Sequence, residues 1–279
     1  MTLPLALKEV ETVLDRLLAP EGCPWDREQT PASLCEYIIE ECHELVDAVR
    51  HKTAADVREE LGDVLFLLLF LSRLYAARGS FSLDEVLKLN AAKMIRRHPH
   101  VFAAEACSSR DDLLRQWESI KRREKAEEKA MGGESGGKSG IFAGLPGSLP
   151  PMTKAYRIHA KAANADFTWD KDEDVERQVE AEWLELLDAL ALGDKKAQER
   201  ELGDMLFTLV ELGRRKGIKS AAALDGACWK FMRRFSRMED LAKERGAEFS
   251  SVSMEEKNAL WAAVKAEEKE SDPQKAESL

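Results

Sequence analysis

The chain lacks most of what a secreted, membrane-spanning or nucleic-acid-wrapping protein needs. Its five cysteines among 279 residues show no C-x-x-C pair and no regular spacing, which is typical of reduced thiols in the cytoplasm. The longest apolar run, residues 64–71, is much shorter than a membrane span, which needs about 20 apolar residues. The net charge of −10 excludes a broad basic face for nucleic acid. We therefore expect a cytoplasmic protein with neither a membrane nor a nucleic acid as its partner.

Signals for β-structure are scarce as well, because alternating runs of β-branched residues are hard to find. Helix-start signals are frequent instead. Capping boxes, in which a Ser or Thr precedes an acid by three positions, fit at residues 53–56, 82–85 and 253–256. Charged residues make up 34% of the chain, as expected for exposed helices around a core. The sequence predicts an all-α fold.

A glycine-rich segment divides the chain near its midpoint. Residues 132–140 read Gly-Gly-Glu-Ser-Gly-Gly-Lys-Ser-Gly, and a stretch rich in Gly and Pro follows. This composition is typical of a flexible linker. We therefore predict a first module at 1–125, a linker at 126–151, a second module at 152–267 and a frayed tail at 268–279.

The same segment matches the phosphate-binding loop G-x-x-x-x-G-K-[ST] at residues 132–139. Such a loop binds phosphate only between a β-strand and a helix whose N-terminus faces the ligand. A charged helical run precedes the match, and residues 140–151 carry no helix signal. We interpret the match as linker, and the missing strands argue against a P-loop ATPase.

The two halves of the chain repeat each other. The segment 60–66 returns at 201–207, shifted by 141 positions, with Glu-Leu-Gly-Asp and Leu-Phe unchanged. The same shift relates four pairs of acids: Glu41 and Glu182, Glu44 and Glu185, Glu60 and Glu201, Asp63 and Asp204. A basic block at 93–97 is echoed at 230–234, and a Trp-x-x-x-Lys pair follows in each half. The series indicates a tandem duplication of one helical module.

Four acids of the first half are spaced so that they can meet. Glu41 and Glu44 are three positions apart, as are Glu60 and Asp63, so each pair leaves one face of its helix. A short connection near residues 50–52 makes the two helices antiparallel neighbours. Converging carboxylates cannot all stay ionised without a partner, and Mg²⁺ or Mn²⁺ prefers such oxygens. Taken alone, these pairs would more often be solvated surface acids, but their return in register favours a metal site.

A glycine lies between the acids of the second pair in both halves, at Gly62 and Gly203. Glycine inside a helix costs about 1 kcal/mol relative to alanine. We therefore expect a neighbouring helix or a ligand to approach these positions closely.

These motifs resemble a known family. Residues 40–44 read E-E-x-x-E and residues 60–63 read E-x-x-D, which resembles the signature of the MazG-type, all-α nucleoside triphosphate pyrophosphatases. Cys-Pro-Trp-Asp at 23–26 and Arg-Arg-His-Pro-His-Val-Phe at 96–102 are similar to the family's N-terminal repeat, and Phe-Thr-Trp-Asp at 167–170 is similar to its C-terminal repeat. The resemblance covers nearly the whole chain. It implies two tandem helical-bundle modules and hydrolysis of nucleoside triphosphates to the monophosphate and pyrophosphate, as in house-cleaning of the nucleotide pool.

The resemblance also implies roles for particular residues, with Mg²⁺ or Mn²⁺ as the cofactor. The family's metal ligands correspond to Glu41, Glu44, Glu60, Asp63, Glu182, Glu185, Glu201 and Asp204. Its triphosphate-binding basic residues correspond to Lys93, Arg96, Arg97, Lys230, Arg233 and Arg234. Trp117 and Trp261 fall where the family contacts the nucleotide, and a packing role stays open for both.

One departure from the signature separates the two halves. In the first half we expect two catalytic residues. Glu41 would act as a metal ligand, and Glu40 as a base or as a residue that orients the attacking water. The second half has Ala181 at the position of Glu40, and Glu180 does not replace it because one residue turns the side chain by about 100°. We therefore expect the first module to carry most of the turnover. The alternative is a nucleotide- and metal-binding regulator without turnover, above all in the second module.

The apolar helices predicted for each module have little to cover them within that module. Helical bundles bury such faces against other helices, and soluble proteins commonly do so by forming symmetric dimers. We therefore expect a homodimer that contacts itself through the bundles and binds a nucleoside triphosphate.

Overall fold

The computed structural model describes residues 3–103, seven positions between 113 and 124, and residues 140–271. Every regular element in these ranges is helical, which confirms the all-α fold class. The chain divides into two compact units, Met1–Glu134 and Ser135–Leu279. The finer module boundaries at 125, 151 and 267 stay a prediction. Among the described helices, none has the length and apolar character that crossing a bilayer requires.

The first unit is built around a pair of long helices. Its helices are α1 (Leu3–Leu17), α2 (Pro24–Glu28), α3 (Leu34–His51), α4 (Ala54–Ala77), α5 (Leu83–Arg97) and α6 (Pro99–Phe102). The seven described positions between 113 and 124 are helical as well. Only Lys52 and Thr53 separate α3 from α4, and the two helices pack against each other along their length. The expected short connection and helix pair are therefore confirmed. Helices α1 and α5 pack on α4.

The three predicted capping boxes are confirmed. The backbone N–H of Thr53 donates to the Asp56 carboxylate at 2.8 Å, and the Thr53 hydroxyl accepts from the Asp56 N–H in return. Ser82 and Glu85 form the same exchange at the start of α5. Ser253 and Glu256 do so ahead of the last helix. Each cap satisfies backbone donors that the helix leaves open and contributes about 1 kcal/mol.

The core of the first unit lies between α1, α3 and α4. Leu14, Leu34 and Phe70, one from each helix, are at most 1% exposed. The apolar run 64–71 is buried on one face only. Leu65 and Leu68 of this run remain 46% and 47% exposed, because successive side chains of a helix point in different directions. The unit therefore presents an apolar face that it does not cover itself.

The second unit repeats the helix pair. Its helices are α7 (Pro151–Ala163), α8 (Asp172–Leu192), α9 (Lys195–Arg215), α10 (Ser220–Glu244) and α11 (Met254–Ser271), with a 3₁₀ turn at Phe249–Ser251. Helices α8 and α9 pack on each other as α3 and α4 do. Gly193 ends α8 with a left-handed φ of 73°, and Asp194 caps α9. Residues 268–271 belong to α11 rather than to the expected frayed tail; the rest of that tail lies outside the described residues.

A buried charge replaces a core aromatic in the second unit. Glu211, 1% exposed, stands at the position that Phe70 holds in the first repeat. Arg214 donates two hydrogen bonds to it, at 2.7 and 2.8 Å, and the Thr168 hydroxyl donates a third at 3.2 Å. Burial alone raises the pKa of the Glu211 carboxyl, but Arg214 and the neighbouring His159 outweigh it, so the pKa is lowered. A buried carboxylate stays ionised only where donors such as Arg214 and Thr168 offset the cost of burying its charge.

Candidate metal and nucleotide site

Three carboxylates of the first unit meet across the α3–α4 pair. Glu41 on α3 and Glu60 and Asp63 on α4 each offer an oxygen, and these oxygens lie within 4.8 Å of one another. Oxygen ligands of one Mg²⁺ lie about 2.1 Å from the ion, which places them roughly 3–4 Å apart. Small side-chain adjustments therefore suffice for one divalent cation. The donor set, all carboxylate oxygens, is the chemistry that such a hard ion prefers.

The electrostatics of Glu41 also favour a positive charge close to its carboxylate. Burial raises the pKa of the Glu41 carboxyl, and the charges of Glu44, Asp63, Glu60 and Glu40 raise it further. Glu44 acts on Glu41 in this way although its carboxylate is not among the three that meet. Lys52 lies 3.7 Å from Glu60 and supplies part of the compensating charge. A cation among these groups would remove the repulsion.

The second unit holds the same cluster. Oxygens of Glu182 on α8 and of Glu201 and Asp204 on α9 lie within 4.8 Å of one another. The Gln178 amide donates to Glu182 at 2.9 Å, and the Arg200 guanidinium donates to Glu201 at 3.1 Å. As with Glu44, the carboxylate of Glu185 is not part of the group that meets. Three of the four carboxylates proposed for each site are thus brought together.

We expected a neighbouring helix or a ligand to approach Gly62 and Gly203 closely. For a neighbouring helix, this expectation is wrong. A Cβ atom added at Gly62 or at Gly203 would meet no described atom within 4 Å. Both glycines are exposed, because they lie on the outer side of α4 and α9 and not on the side that packs against the partner helix. The shared glycine therefore has no packing explanation within either unit.

Glu41→Gln should raise the melting temperature of the protein in metal-free buffer at neutral pH. The raised pKa of Glu41 means that the folded state holds this proton more tightly than the unfolded chain does. The native state therefore loses stability as the pH rises from the ordinary glutamate value through the raised one. Glutamine carries no charge and avoids that loss, so the difference should vanish at acidic pH. Thermal unfolding in EDTA across pH measures it, with the exposed Glu59→Gln as the control; a lower melting temperature at neutral pH would contradict the expectation.

The arginines of both basic blocks are paired with a carboxylate of a later helix. In the first unit, Arg96 and Arg97 at the end of α5 both donate to Glu124. Arg233 and Arg234 in α10 both donate to Glu268 in α11. The ion pairs of these arginines therefore run to the later helices and not to the acidic clusters. Lys93 is half-buried and Lys230 is exposed.

Glu124 and Glu268 were not predicted as site residues, although the sequence holds a signal for them. Each lies seven positions after the late tryptophan of its half, Trp117 or Trp261. Seven positions are about two helical turns, so the tryptophan and the glutamate share one helix face. An acid that shares a helix face with the late tryptophan could have been proposed as the partner of the preceding basic block.

Each late tryptophan, Trp117 or Trp261, lies beside the second arginine of its basic block, Arg97 or Arg234. The Arg234 guanidinium lies 5.5 Å from the centre of the Trp261 ring, which also contacts Phe231 at 5.4 Å. This ring lines a cavity of about 400 Å³ between α10 and α11. Trp117 lines a smaller cavity of about 200 Å³ together with Arg97. An aromatic ring beside a guanidinium is a suitable surface for a nucleotide, and it is also ordinary packing.

The sequence of this chain is similar to those of known proteins. The model of the MazG nucleotide pyrophosphohydrolase domain matches residues 29–102, the span that holds the first acidic cluster. The chain is 34% identical to the nucleoside triphosphate pyrophosphohydrolase/pyrophosphatase MazG of Thermotoga maritima, over 94% of this chain and 96% of that relative. It is 35% identical to the nucleoside triphosphate pyrophosphohydrolase of Escherichia coli (strain K12), over 92% of this chain and 96% of that relative. The chain belongs to the MazG family.

Membership of the MazG family confirms the resemblance drawn from the acidic motifs. A further relative, the nucleoside triphosphate pyrophosphohydrolase of Mycobacterium tuberculosis, is 44% identical over 105 residues, or 37% of this chain and 32% of that protein. The two full-length matches cover both halves of the chain and the linker between them. The MazG match therefore extends beyond the domain model to the tandem form.

Proposed function

We propose that this MazG-family protein hydrolyses nucleoside triphosphates to the nucleoside monophosphate and pyrophosphate with the help of Mg²⁺ or Mn²⁺. The repeated cluster of three carboxylates carries the proposal, together with the names of the full-length relatives. The enzyme would thereby remove unwanted nucleotides from the nucleotide pool of the cytoplasm. The cysteines of the described residues are free thiols, which is typical of cytoplasmic proteins.

The cation would be held in each unit by the three clustered carboxylates together with Glu44 or Glu185. Those residues are Glu41, Glu44, Glu60 and Asp63 in the first unit, and Glu182, Glu185, Glu201 and Asp204 in the second. When bound, such an ion polarises phosphate oxygens and lowers the pKa of a coordinated water. Glutamine at any ligand position would keep the shape of the side chain and remove its charge.

The remaining site residues would act on the nucleotide and on the attacking water. The basic residues Lys93, Arg96, Arg97, Lys230, Arg233 and Arg234 would offset charge on the triphosphate, since guanidinium groups bind phosphate oxygens with two parallel hydrogen bonds. Trp117 and Trp261 would provide an aromatic surface for the nucleoside. Glu40, exposed and close enough to raise the pKa of Glu41, would accept a proton from the attacking water or orient it.

Product identification tests this function. The full-length protein is incubated with each common nucleoside triphosphate and Mg²⁺, and the products are separated. Monophosphate with pyrophosphate is the expected result. Diphosphate with phosphate would contradict it and indicate an ATPase. Tight binding without turnover would indicate the second candidate function, a nucleotide- and metal-binding regulator, which the loss of the fifth acid at Ala181 favours for the second unit.

The protein should be a homodimer in solution at micromolar concentration. Apolar side chains on the helix pairs are 40–60% exposed, among them Leu61, Leu65, Trp183, Leu184, Leu187 and Leu202. An uncovered face of this kind on a helix pair marks a contact with another chain. Light scattering should give twice the chain mass, and Leu65→Glu with Leu206→Glu should shift the protein toward the monomer. A monomer in the unmodified protein would contradict the prediction.

A further inference from the structure

In each half, one glutamate that follows the late tryptophan contacts two adjacent arginines. Glu124 follows Trp117 by seven positions and contacts Arg96 and Arg97. Glu268 follows Trp261 by seven positions and contacts Arg233 and Arg234. The same three-residue contact therefore forms twice, between segments about 30 residues apart in the chain. Its repetition indicates a function that both modules share.

The two contacts agree atom by atom. In each, two nitrogens of the second arginine of the block (the inner arginine, Arg97 or Arg234) lie close to the Oε2 atom of the glutamate. The Nε and Nη2 atoms are 2.9 and 2.7 Å from it for Arg97, and 2.8 and 2.7 Å from it for Arg234. The Oε1 atom accepts from one nitrogen of the outer arginine, at 3.3 Å for Arg96 and at 2.7 Å for Arg233. The inner arginine therefore makes two close N···O contacts with the glutamate, whereas one hydrogen bond joins the outer arginine to it.

Burial separates the two arginines further. The side chains of Arg97 and Arg234 are 21% and 20% exposed, whereas those of Arg96 and Arg233 are 58% and 72% exposed. Two close contacts from one guanidinium to the same carboxylate, in a partly buried place, fix the plane of that guanidinium. A single bond at an exposed place exchanges readily with other acceptors. The inner arginine is therefore oriented by the glutamate, and the outer one is available to an incoming anion.

The charges of the glutamate and its two arginines also favour phosphate binding at the outer arginine. Arginine hydrogen bonds and charges lower the pKa of the Glu268 carboxyl, and they also lower that of Glu124 against the opposing effect of burial. Each carboxylate is therefore ionised at neutral pH and compensates two neighbouring positive charges that would otherwise repel each other. A phosphate group offers the same charge and acceptor geometry to the outer arginine.

We propose that Glu124 and Glu268 are positioning residues for the triphosphate: each fixes the inner arginine beside the late tryptophan and holds the outer arginine until a substrate phosphate replaces the carboxylate on it. The inference rests on the proposed function, because it takes the basic blocks as the triphosphate-binding residues. It adds a residue to each site that the acidic signature does not contain. It also explains why the acid and the tryptophan share one face of their helix.

The test is the full-length double variant Glu124→Gln with Glu268→Gln. Glutamine keeps the size of the side chain but loses its charge, and its amide nitrogen cannot accept a bond from arginine. The KM for the nucleoside triphosphate should rise about tenfold, as expected for loss of charge-assisted hydrogen bonds, while kcat stays within about twofold. Calorimetric binding of α,β-methylene-ATP, whose α–β bridge resists cleavage, should weaken by the same factor. The shorter Glu124→Asp with Glu268→Asp should give an intermediate value.

Glu267→Gln is the matched control, because Glu267 is the neighbour of Glu268 on α11 and accepts two hydrogen bonds from Arg237, outside the basic block. It should leave KM unchanged. An unchanged or lower KM in the double variant would overturn the inference. So would loss of the cooperative thermal transition in the double variant but not in the control, since the glutamates would then be structural. If the unmodified protein binds the analogue but hydrolyses no triphosphate, the proposed function fails, and the calorimetric comparison still decides the inference.

Discussion

Replacing Glu41 and Glu182 with glutamine in one full-length chain should abolish metal-dependent turnover. Each residue contributes the α3 or α8 carboxylate to a group of three oxygens within 4.8 Å, and each is the only member of its group on that helix. Metal catalysis is worth several kcal/mol of transition-state stabilisation, so loss of the ion should lower kcat on the order of 10³-fold or more. The fold should persist because glutamine fills the same volume.

Pyrophosphate release at saturating Mg²⁺ measures this effect. The control chain carries Glu59→Gln and Glu180→Gln, which remove two exposed acids next to the clusters without touching a proposed ligand. It should keep the rate of the unmodified protein. Turnover within about tenfold of that rate in the Glu41 and Glu182 variant would show that the ligand assignment is wrong.

The second large effect concerns the division of labour between the units. Glu41→Gln silences the first unit and leaves the second intact, whereas Glu182→Gln does the reverse. The second unit lacks an acid at Ala181, and one general base contributes about 10²–10⁴ in rate. The Glu41→Gln chain should therefore be about 10²–10⁴ times slower than the Glu182→Gln chain, while both still bind nucleotide.

Restoring the acid provides the converse experiment. Ala181→Glu in the Glu41→Gln chain should recover turnover, because position 181 precedes Glu182 as Glu40 precedes Glu41. Ala181→Gln, which has the same size without the charge, is the matched control and should recover none. Equal rates for the two singly silenced chains would contradict the ordering and indicate that the metal alone activates the water.

Local signals in the sequence predicted the features that depend on neighbouring residues. The capping boxes at Thr53, Ser82 and Ser253 formed because a hydroxyl and an acid three positions apart meet at any helix start. The carboxylate clusters formed because spacing by three and a two-residue connection place Glu41 opposite Glu60 and Asp63. Both features follow from helix geometry alone.

Features that depend on the docking of distant helices were not predicted. The contacts of Glu124 and Glu268 require the helix of each glutamate to lie beside the basic block, which composition does not reveal. The buried Glu211 stands where the repeat has Phe70, and a charge at a core position needs the partners Arg214 and Thr168 from outside the repeated motif. Whether Glu44 and Glu185 join their clusters depends on side-chain rotamers, which spacing along a helix does not fix.

The most direct test of the central claim is a titration of the full-length protein with Mn²⁺, followed by electron paramagnetic resonance of the free ion. The account predicts that the unmodified protein binds Mn²⁺ in both units, that Glu41→Gln and Glu182→Gln each remove the binding of one unit, and that the two changes together remove both. The Glu59→Gln and Glu180→Gln chain should bind as the unmodified protein does. Undiminished Mn²⁺ binding in the Glu41→Gln and Glu182→Gln chain would contradict the account.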